Sequence, residues 1–210
     1  SSLVFRPRRD LNMNCTLDFD FKGRDPTKLC TADLAKFARK VAKVVDAHEF
    51  VITKRVSSYV KTTKTEQYHS FGFHLWLIGK FSLKQCKLVR DTILSEKLLT
   101  PLRKKYTFYN SDENAVDKSP ALRANGLYIV GDRKLGVQCS PHFICYAKGK
   151  ALSYGWQFTN RQLYCALLET MYAFIWEPLG EQEQILEKPT KPKQTVKVDS
   201  QVPINKSSIP

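Results

Sequence analysis

The sequence predicts an α+β fold with a largely antiparallel sheet, and three observations support this prediction. Several segments alternate apolar and polar residues, as half-buried strands do. Other segments carry apolar residues at helical spacing, which predicts amphipathic helices. The segments follow one another in the order strand, helix, strand, strand, helix, strand, strand, helix. Because several strands are adjacent in this mixed order, antiparallel pairing is favoured.

The first third of the chain contains a strand, a helix and a second strand. Residues 12–22 alternate strictly, which places their apolar side chains on one face and their polar side chains on the other. Residues 31–47 carry an apolar stripe, and Thr31 is a suitable N-cap for a helix. A β-branched run over 51–60 predicts the next strand, and the polar stretch 61–69 predicts a loop.

The middle of the chain contains a strand and a helix. Residues 71–78 alternate in the same way as the first strand. A helix is predicted over 82–99, with Ser82 as its N-cap and Pro101 marking its end. Residues 102–120 are mostly polar and are predicted to be mainly loop.

The last part of the chain contains two strands, a helix and a polar tail. Strands are predicted over 127–130 and 137–146, and a helix over 160–176. The tail contains no aromatic residue and is rich in Pro, Lys, Glu and Gln, a composition typical of a disordered linker. We therefore expect one folded catalytic domain over 1–178 and a linker or tail over 179–210.

The chain is strongly basic, with 34 Lys and Arg against 20 Asp and Glu and a formal net charge of +14. Residues 181–210 contain five Lys and four acids, a net of +1, so residues 1–180 carry the other +13. Such a charge attracts polyanions, of which nucleic acid is the commonest, and an anionic membrane surface is the alternative. No run of roughly 18 apolar residues occurs, so we expect no membrane-spanning segment.

The six cysteines lie mostly within apolar strand or helix patterns, which is typical of buried thiols in an intracellular, reducing compartment. The spacing of Cys139, His142 and Cys145 also resembles a zinc site. It supplies only three ligands, and it lies in a strand-like run. A structural role is favoured, and zinc binding stays open.

Asp18 and Asp20 are the first candidates for chemistry. They are two residues apart on a strand, so both side chains project from the same face. Two adjacent carboxylates repel each other unless they are solvated, protonated or bridged by a cation. Their hard oxygen ligands suit Mg²⁺ or Mn²⁺. The alternative is a solvated polar face that happens to carry two acids.

Further residues could complete a site for phosphoryl transfer, which requires carboxylates for metal ions and basic groups for a triphosphate. Asp117 could join the two acids as a third metal ligand, and Asp132 competes with it for that role. His74 is also typical of a half-buried histidine, and each basic residue of a solvated surface charge. The candidate anion contacts are His74, Arg123, Arg133 and Lys134.

Two of these segments resemble motifs of a known family. Residues 17–21 form a hydrophobic strand ending in two acids, and residues 70–77 form a strand that contains His74. They resemble the first two motifs of the archaeo-eukaryotic primase superfamily, especially of the primase-helicases of poxviruses, asfarviruses and other large cytoplasmic DNA viruses. The family's second motif is usually Ser-x-His, whereas here Gly72 occupies the position of the serine and Ser70 lies two residues earlier.

The third motif of the family resembles the segment that begins at Asp117. In the family, a single acid completes the metal site, and a Leu-Arg pair and a lysine follow it. Here Leu122-Arg123 follows Asp117, and Arg133-Lys134 lies further along. The order and spacing of the three motifs carry the resemblance, which spans roughly residues 10–150.

The resemblance implies a primase catalytic core, an RRM-like unit packed on a second small sheet. It implies template-directed synthesis of primers from nucleoside triphosphates on single-stranded DNA during viral DNA replication in the host cytoplasm. It also implies a helicase domain C-terminal to this chain. The implied metal ligands are Asp18, Asp20 and Asp117. The implied nucleotide contacts are Ser70, His74, Arg123, Arg133 and Lys134.

Two other functions are compatible with the same residues. A metal-dependent nuclease would use the same acids without a triphosphate site. A non-catalytic module for single-stranded nucleic acid would use the positive charge together with aromatic side chains on which bases stack. The candidate stacking residues are Tyr59, Tyr68, Phe71 and Trp76.

Overall fold

The structure is a computed structural model that describes residues 4–5, 11–118, 127–128, 139–149, 168, 171 and 174–178. Nine strands and four helices have described bounds, and residues 118, 168 and 171 are also helical. The strands are β1 Val4–Phe5, β2 Leu11–Gly23, β3 Glu49–Lys54, β4 Tyr59–Thr62, β5 Gln67–Phe81, β6 Val116–Asp117, β7 Leu127–Tyr128, β8 Phe143–Lys148 and β9 Phe174–Pro178. The helices are α1 Thr31–Val44, α2 Leu83–Ser95, α3 Thr100–Lys105 and α4 Asp112–Ala115. None of the described helices has the length and apolar character needed to cross a lipid bilayer.

Seven of the strands form one antiparallel sheet. Its central order is β6-β2-β5-β3-β8, while β4 pairs with β5 and β9 pairs with β2. Strands β1 and β7 form a separate antiparallel pair. Every described pairing is antiparallel, which confirms the predicted α+β class with a mostly antiparallel sheet.

Strict alternation along β2 and β5 divides the sheet into an apolar face and a polar face. The apolar face packs against α1, where Phe19 stacks on Phe73 at 4.4 Å between ring centroids. The ring of Phe37 lies edge-on to both, at 5.3 and 5.8 Å. Such pairs stabilise a core by about 1 kcal/mol each beyond their buried area. Helices cover this face. The polar residues of β2 alternate with the apolar ones and therefore lie on the opposite face.

Gly72 allows β2 and β5 to approach each other. A Cβ atom at this position would lie 2.0 Å from the carbonyl oxygen of Phe19, which is a rigid backbone atom. Gly72 is directly opposite Asp20 in the ladder. Gly72 therefore permits a close approach of two strand backbones in the same sheet. This contact lies beside Asp18 and Asp20.

The run predicted as one strand over 51–60 forms two strands. β3 ends at Lys54, the chain bends at Val56 and Ser57, and β4 begins at Tyr59. The hydroxyl of Ser58 accepts a hydrogen bond from the backbone N–H of Thr27 at 3.0 Å, which anchors the end of the bend. The β-branched composition conceals this bend because Val56 fits a strand pattern, although it is 53% exposed.

The boundaries of the two long helices also differ from the prediction. Ser82 caps α2 as expected, and the structure shows that Gln85 completes a capping box with it. The helix ends at Ser95, because Lys97 adopts a left-handed conformation with φ 49°. Pro101 lies in the first turn of α3 instead of ending a helix, since the first turn tolerates a residue without an N–H. α1 begins at Thr31 and ends at Val44, and its N-cap residue, Cys30, makes no side-chain cap bond.

Towards the C-terminus, the predicted helix over 160–176 was wrong at its end. Phe174–Pro178 forms strand β9, which pairs with the beginning of β2. Its aromatic and β-branched residues favour a strand where the edge of β2 is available for pairing. The strand predicted over 137–146 begins at Phe143 and extends to Lys148. Most of the helix, and the tail over 179–210, lie outside the described residues.

We predict that Gly72→Ala destabilises the protein by about 3 kcal/mol or more, because a new Cβ atom cannot displace the backbone of Phe19. The matched control is Gly23→Ala, whose Cβ would lie 2.8 Å from the ring of Phe71. That atom belongs to a side chain and not to the backbone, so the expected cost is smaller, about 1 kcal/mol. Urea unfolding of both variants measures the difference, and equal costs would contradict the role of Gly72.

Candidate functional site

Three of the predicted site residues lie in one row across the sheet. Asp18 on β2 is directly opposite His74 on β5 and directly opposite Asp117 on β6. Thr53 on β3 continues the row, since it is opposite His74 on the other side. Side chains directly opposite each other in an antiparallel sheet share a face, with Cβ atoms about 5 Å apart. The structure therefore brings together residues that are up to 99 positions apart in the sequence.

The two-residue strand β6, which contains Asp117, is held in place by Arg90. The guanidinium of Arg90 donates hydrogen bonds to the carbonyl oxygens of Val116 and Glu113, both at 3.0 Å. The hydroxyl of Ser111 caps α4 by accepting from the N–H of Asn114. These bonds anchor both ends of the segment, which sequence analysis assigned to a loop. Arg90 is a positioning residue that the sequence patterns did not indicate.

The carboxylate of Asp20 has a partner within the site. The hydroxyl of Ser70, which is fully buried, donates a hydrogen bond of 2.8 Å to Oδ1 of Asp20. The side chain of Asn110 donates to the backbone carbonyl of Asp20 at 2.9 Å and accepts from the N–H of Lys22 at 3.0 Å. Ser70 was expected to contact a nucleotide, and in the structure it orients a carboxylate.

The ammonium of Lys61 on β4 contributes positive charge near Asp20 on the polar face. Burial alone would lower the pKa of Lys61, but Tyr68, Asp20 and Tyr59 outweigh it and raise the pKa above its usual value. Lys61 therefore stays protonated within the electrostatic range of Asp20. A cationic side chain at this position is suited to an anionic ligand held beside the carboxylates.

His74 is buried beside Asp18, on the neighbouring strand. Its Nε2 atom lies 3.4 Å from Oδ1 of Asp18, and the residue is 6% exposed. Burial, together with the charge of Arg55, lowers the pKa of His74 to about 3. The proximity of Asp18 would favour a protonated ring, but the desolvation of a fully enclosed imidazole is the larger effect. His74 is therefore neutral at pH 7 and can donate a hydrogen bond from only one ring nitrogen.

A second buried histidine, His142, stacks on His74. The ring centroids are 4.0 Å apart and the ring planes differ by 15°. Burial, with His74 and Arg55 as further causes, holds the pKa of His142 well below its usual value. Among the described residues, Nδ1 of His74 has no hydrogen-bond partner, and neither does the hydroxyl of Thr53. Enclosed polar atoms of His74, Thr53 and His142 thus form a cluster on one side of Asp18.

Sequence analysis missed His142, Thr53 and Arg55 as members of this site. His142 was noticed only for its spacing from two cysteines. Cys145 belongs to the hydrophobic core on the other face, and burial raises its pKa to about 11. The stack of His142 on His74 depends on the pairing of β3 with both β5 and β8, which no local pattern reveals.

The described residues contain no group of three or more His, Cys, Asp or Glu side chains assembled to hold a metal ion. This includes the three residues of the zinc-like spacing. Asp18 and Asp117 are opposite each other, whereas Asp20 is hydrogen-bonded to Ser70. The donor set of carboxylate oxygens on one sheet face nevertheless suits a hard divalent cation.

Several predicted residues cannot be placed in the site. Arg123, Asp132, Arg133 and Lys134 lie outside the described residues. The stacking platform proposed for single strands is mostly closed, since Tyr68, Phe71 and Trp76 are at most 5% exposed. Of the four aromatic candidates, only Tyr59 is partly accessible.

Comparisons with known proteins do not assign this site. No protein-family model matches the chain, and no curated protein matches it significantly.

We predict that the free energy of unfolding falls as the pH is lowered from 6.5 to 5. The pKa of His74 is about 3 in the fold and 6.5 without it. Below pH 6.5 the unfolded chain therefore binds a proton that the folded chain excludes. Each such histidine contributes about 1.4 kcal/mol per pH unit to this loss. Urea unfolding at several pH values measures the slope.

Two variants test whether the pH dependence of the unfolding free energy arises from the stacked pair His74 and His142. His142→Phe keeps an aromatic ring on His74 but removes one titrating group, so the slope should decrease. His48→Gln changes an exposed histidine and should leave the slope unchanged. A wild-type curve that is flat between pH 6.5 and 5 would contradict the burial of two neutral histidines.

Proposed function

We propose that this chain is the catalytic domain of a DNA primase, which synthesises primers from nucleoside triphosphates on a single-stranded DNA template. The cross-strand row of Asp117, Asp18 and His74 is the observation that supports it most. These three residues come from the three motifs that resemble the primase superfamily. A helicase domain C-terminal to this chain and a role in viral DNA replication belong to the same proposal.

The carboxylates of Asp18 and Asp117 would hold Mg²⁺ or Mn²⁺ from two neighbouring strands. Two acids directly opposite each other create a local negative potential, which favours a bound cation. Asp20 would join them after rotation of its carboxylate, or would stay on Ser70 and bind through its other oxygen. A divalent cation bound there neutralises developing negative charge and activates the attacking hydroxyl.

His74 would act from beneath the carboxylates. Its neutral ring can orient Asp18 with a proton on Nε2. In the other tautomer, Nδ1 could donate to a nucleotide phosphate after the surrounding side chains rearrange, so the two contacts are alternatives. Lys61 would attract the triphosphate to this end of the polar face. Arg123, Arg133 and Lys134 are the further phosphate contacts that the motif resemblance implies.

We predict that Asp18→Asn and Asp117→Asn each reduce primer synthesis about 100-fold or more, because each removes a charged metal ligand while keeping its shape. The assay combines the chain with single-stranded DNA, Mg²⁺ or Mn²⁺ and labelled nucleoside triphosphates. Asp25→Asn changes an exposed acid just beyond β2 and serves as the control. Circular dichroism verifies that each variant is folded.

The products of this assay separate the three candidate functions. Labelled oligonucleotides made by the wild type and lost in both site variants support a primase. Degraded template in place of new strands indicates a metal-dependent nuclease using the same acids. DNA binding without synthesis or cleavage, unchanged by Asp18→Asn, indicates a non-catalytic module.

We predict that His74→Ala weakens nucleoside triphosphate binding about 10-fold, the effect of losing one hydrogen bond to a charged group. Calorimetric titration with Mn²⁺ and again with a chelator distinguishes two causes. A loss seen only with metal indicates that His74 acts by orienting Asp18. A loss under both conditions indicates direct contact with the nucleotide. His48→Ala is the control, and unchanged affinity in His74→Ala would remove His74 from the site.

A further inference from the structure

A basic cleft lies on the helical side of the molecule, between α1 and α3. It encloses about 550 Å³. α1 packs on the apolar face of the sheet, so the cleft is on the opposite side from Asp18. Its cationic lining residues are Lys36, Arg39, Lys40, Lys43 and Lys105.

Asp33 is the one acid among the described residues that line the cleft, and it does not neutralise most of the positive charge there. The carboxylate of Asp33 is bound by the ammonium of Lys105 at 2.7 Å and by the hydroxyl of Tyr106. Lys40 and Lys43 are exposed and have no ion-pair partner among the described residues. The cleft therefore has a net positive charge that a ligand can use.

The lysines of α1 form a line along one side of the cleft. Lys36, Lys40 and Lys43 are four and three residues apart, which places them on one face of the helix. At a rise of 1.5 Å per residue they are separated by about 6 Å and 4.5 Å along the helix axis. Arg39 is held at the edge of the cleft, where its guanidinium donates to the hydroxyl of Tyr146 at 2.6 Å. Such a line suits an extended chain with regularly repeated negative charges.

We propose that this cleft binds the phosphodiester backbone of single-stranded nucleic acid, as a contact separate from the carboxylate site. Lysine is a point charge without the planar fork of arginine, so it suits contact with phosphates regardless of base sequence. A concave cleft of about 550 Å³ admits one strand, whereas a duplex is a wide convex rod. The proposal does not depend on the proposed catalytic function.

The floor of the cleft argues against an acidic amphipathic peptide as the occupant. Such a peptide would insert apolar side chains against exposed apolar surface. The floor residues Phe37, Leu98 and Leu102 are only 5, 2 and 3% exposed. These three side chains add little apolar area, and the exposed Pro101 is the remaining apolar residue among the described lining residues, so five cationic side chains are the main recognition feature of the cleft. A polyanion with one charge per repeat matches this surface better.

The test compares two triple variants that remove the same charge from different places. The first is Lys36→Gln/Lys40→Gln/Lys43→Gln in the cleft. The second is Lys84→Gln/Lys87→Gln/Lys97→Gln, three exposed lysines on or just after α2. Affinity for labelled oligothymidylate is measured by fluorescence anisotropy between about 50 and 200 mM salt. Nucleotide binding with Mn²⁺ is measured on the same samples.

The cleft variant should bind oligothymidylate about 10-fold more weakly, and its salt dependence should be shallower by about 2, since three phosphate contacts on a single strand are lost. The α2 variant should keep the wild-type slope, and nucleotide binding should be unchanged in both. Equal losses in the two variants, or no loss in either, would overturn the proposal. So would a duplex or an oligoglutamate peptide that competes for the cleft better than unlabelled oligothymidylate.

Discussion

The pairing of β2 with β5 is the constraint on which the rest of the structure depends. These two long strands stay in register from Cys15 to Gly23 and supply both faces of the sheet. Their close approach requires glycine at position 72, where a Cβ atom would meet the backbone of Phe19. A shift of one residue would exchange the two faces, moving the phenylalanine core into solvent and the acids against α1. Core packing and site geometry are therefore set by the same register.

The division of the sheet into two faces also separates two kinds of charge. Helices cover the apolar face, and the exposed side of α1 carries the line of lysines. The opposite face carries Asp18 and Asp20, with Ser70 and His74 enclosed beneath them. A carboxylate site can therefore exist on a strongly basic protein without being neutralised by its lysines. The line of lysines on α1 is thus on a different surface from the carboxylates, where Lys61 is the nearby cation.

Local patterns in the sequence were sufficient to place single residues but not to bring them together. The alternation of β2 correctly predicted that Asp18 and Asp20 share a face, and the capping box of α2 follows from Ser82 and Gln85. Asp117 was placed in a loop, because a strand of two residues has no periodicity to detect. Its position opposite Asp18 depends on Arg90, which lies 26 residues from the carbonyl of Val116 that it binds. Cross-strand register of this kind arises from long-range pairing and has no local signature.

Several of the enclosed polar atoms in the described structure, those of Thr53, His74 and His142, lie in or beside one row of the sheet. The enclosed imidazole nitrogens of His74 and His142 oppose folding, since a buried polar atom loses its bonds to water. Elsewhere, Asn110 and Ser82 satisfy backbone groups, and the phenylalanine core is closely packed. A protein that tolerates such a cost at one place usually gains function there. The enclosed His74 lies beside Asp18, so the proposed catalytic function involves the same row of the sheet.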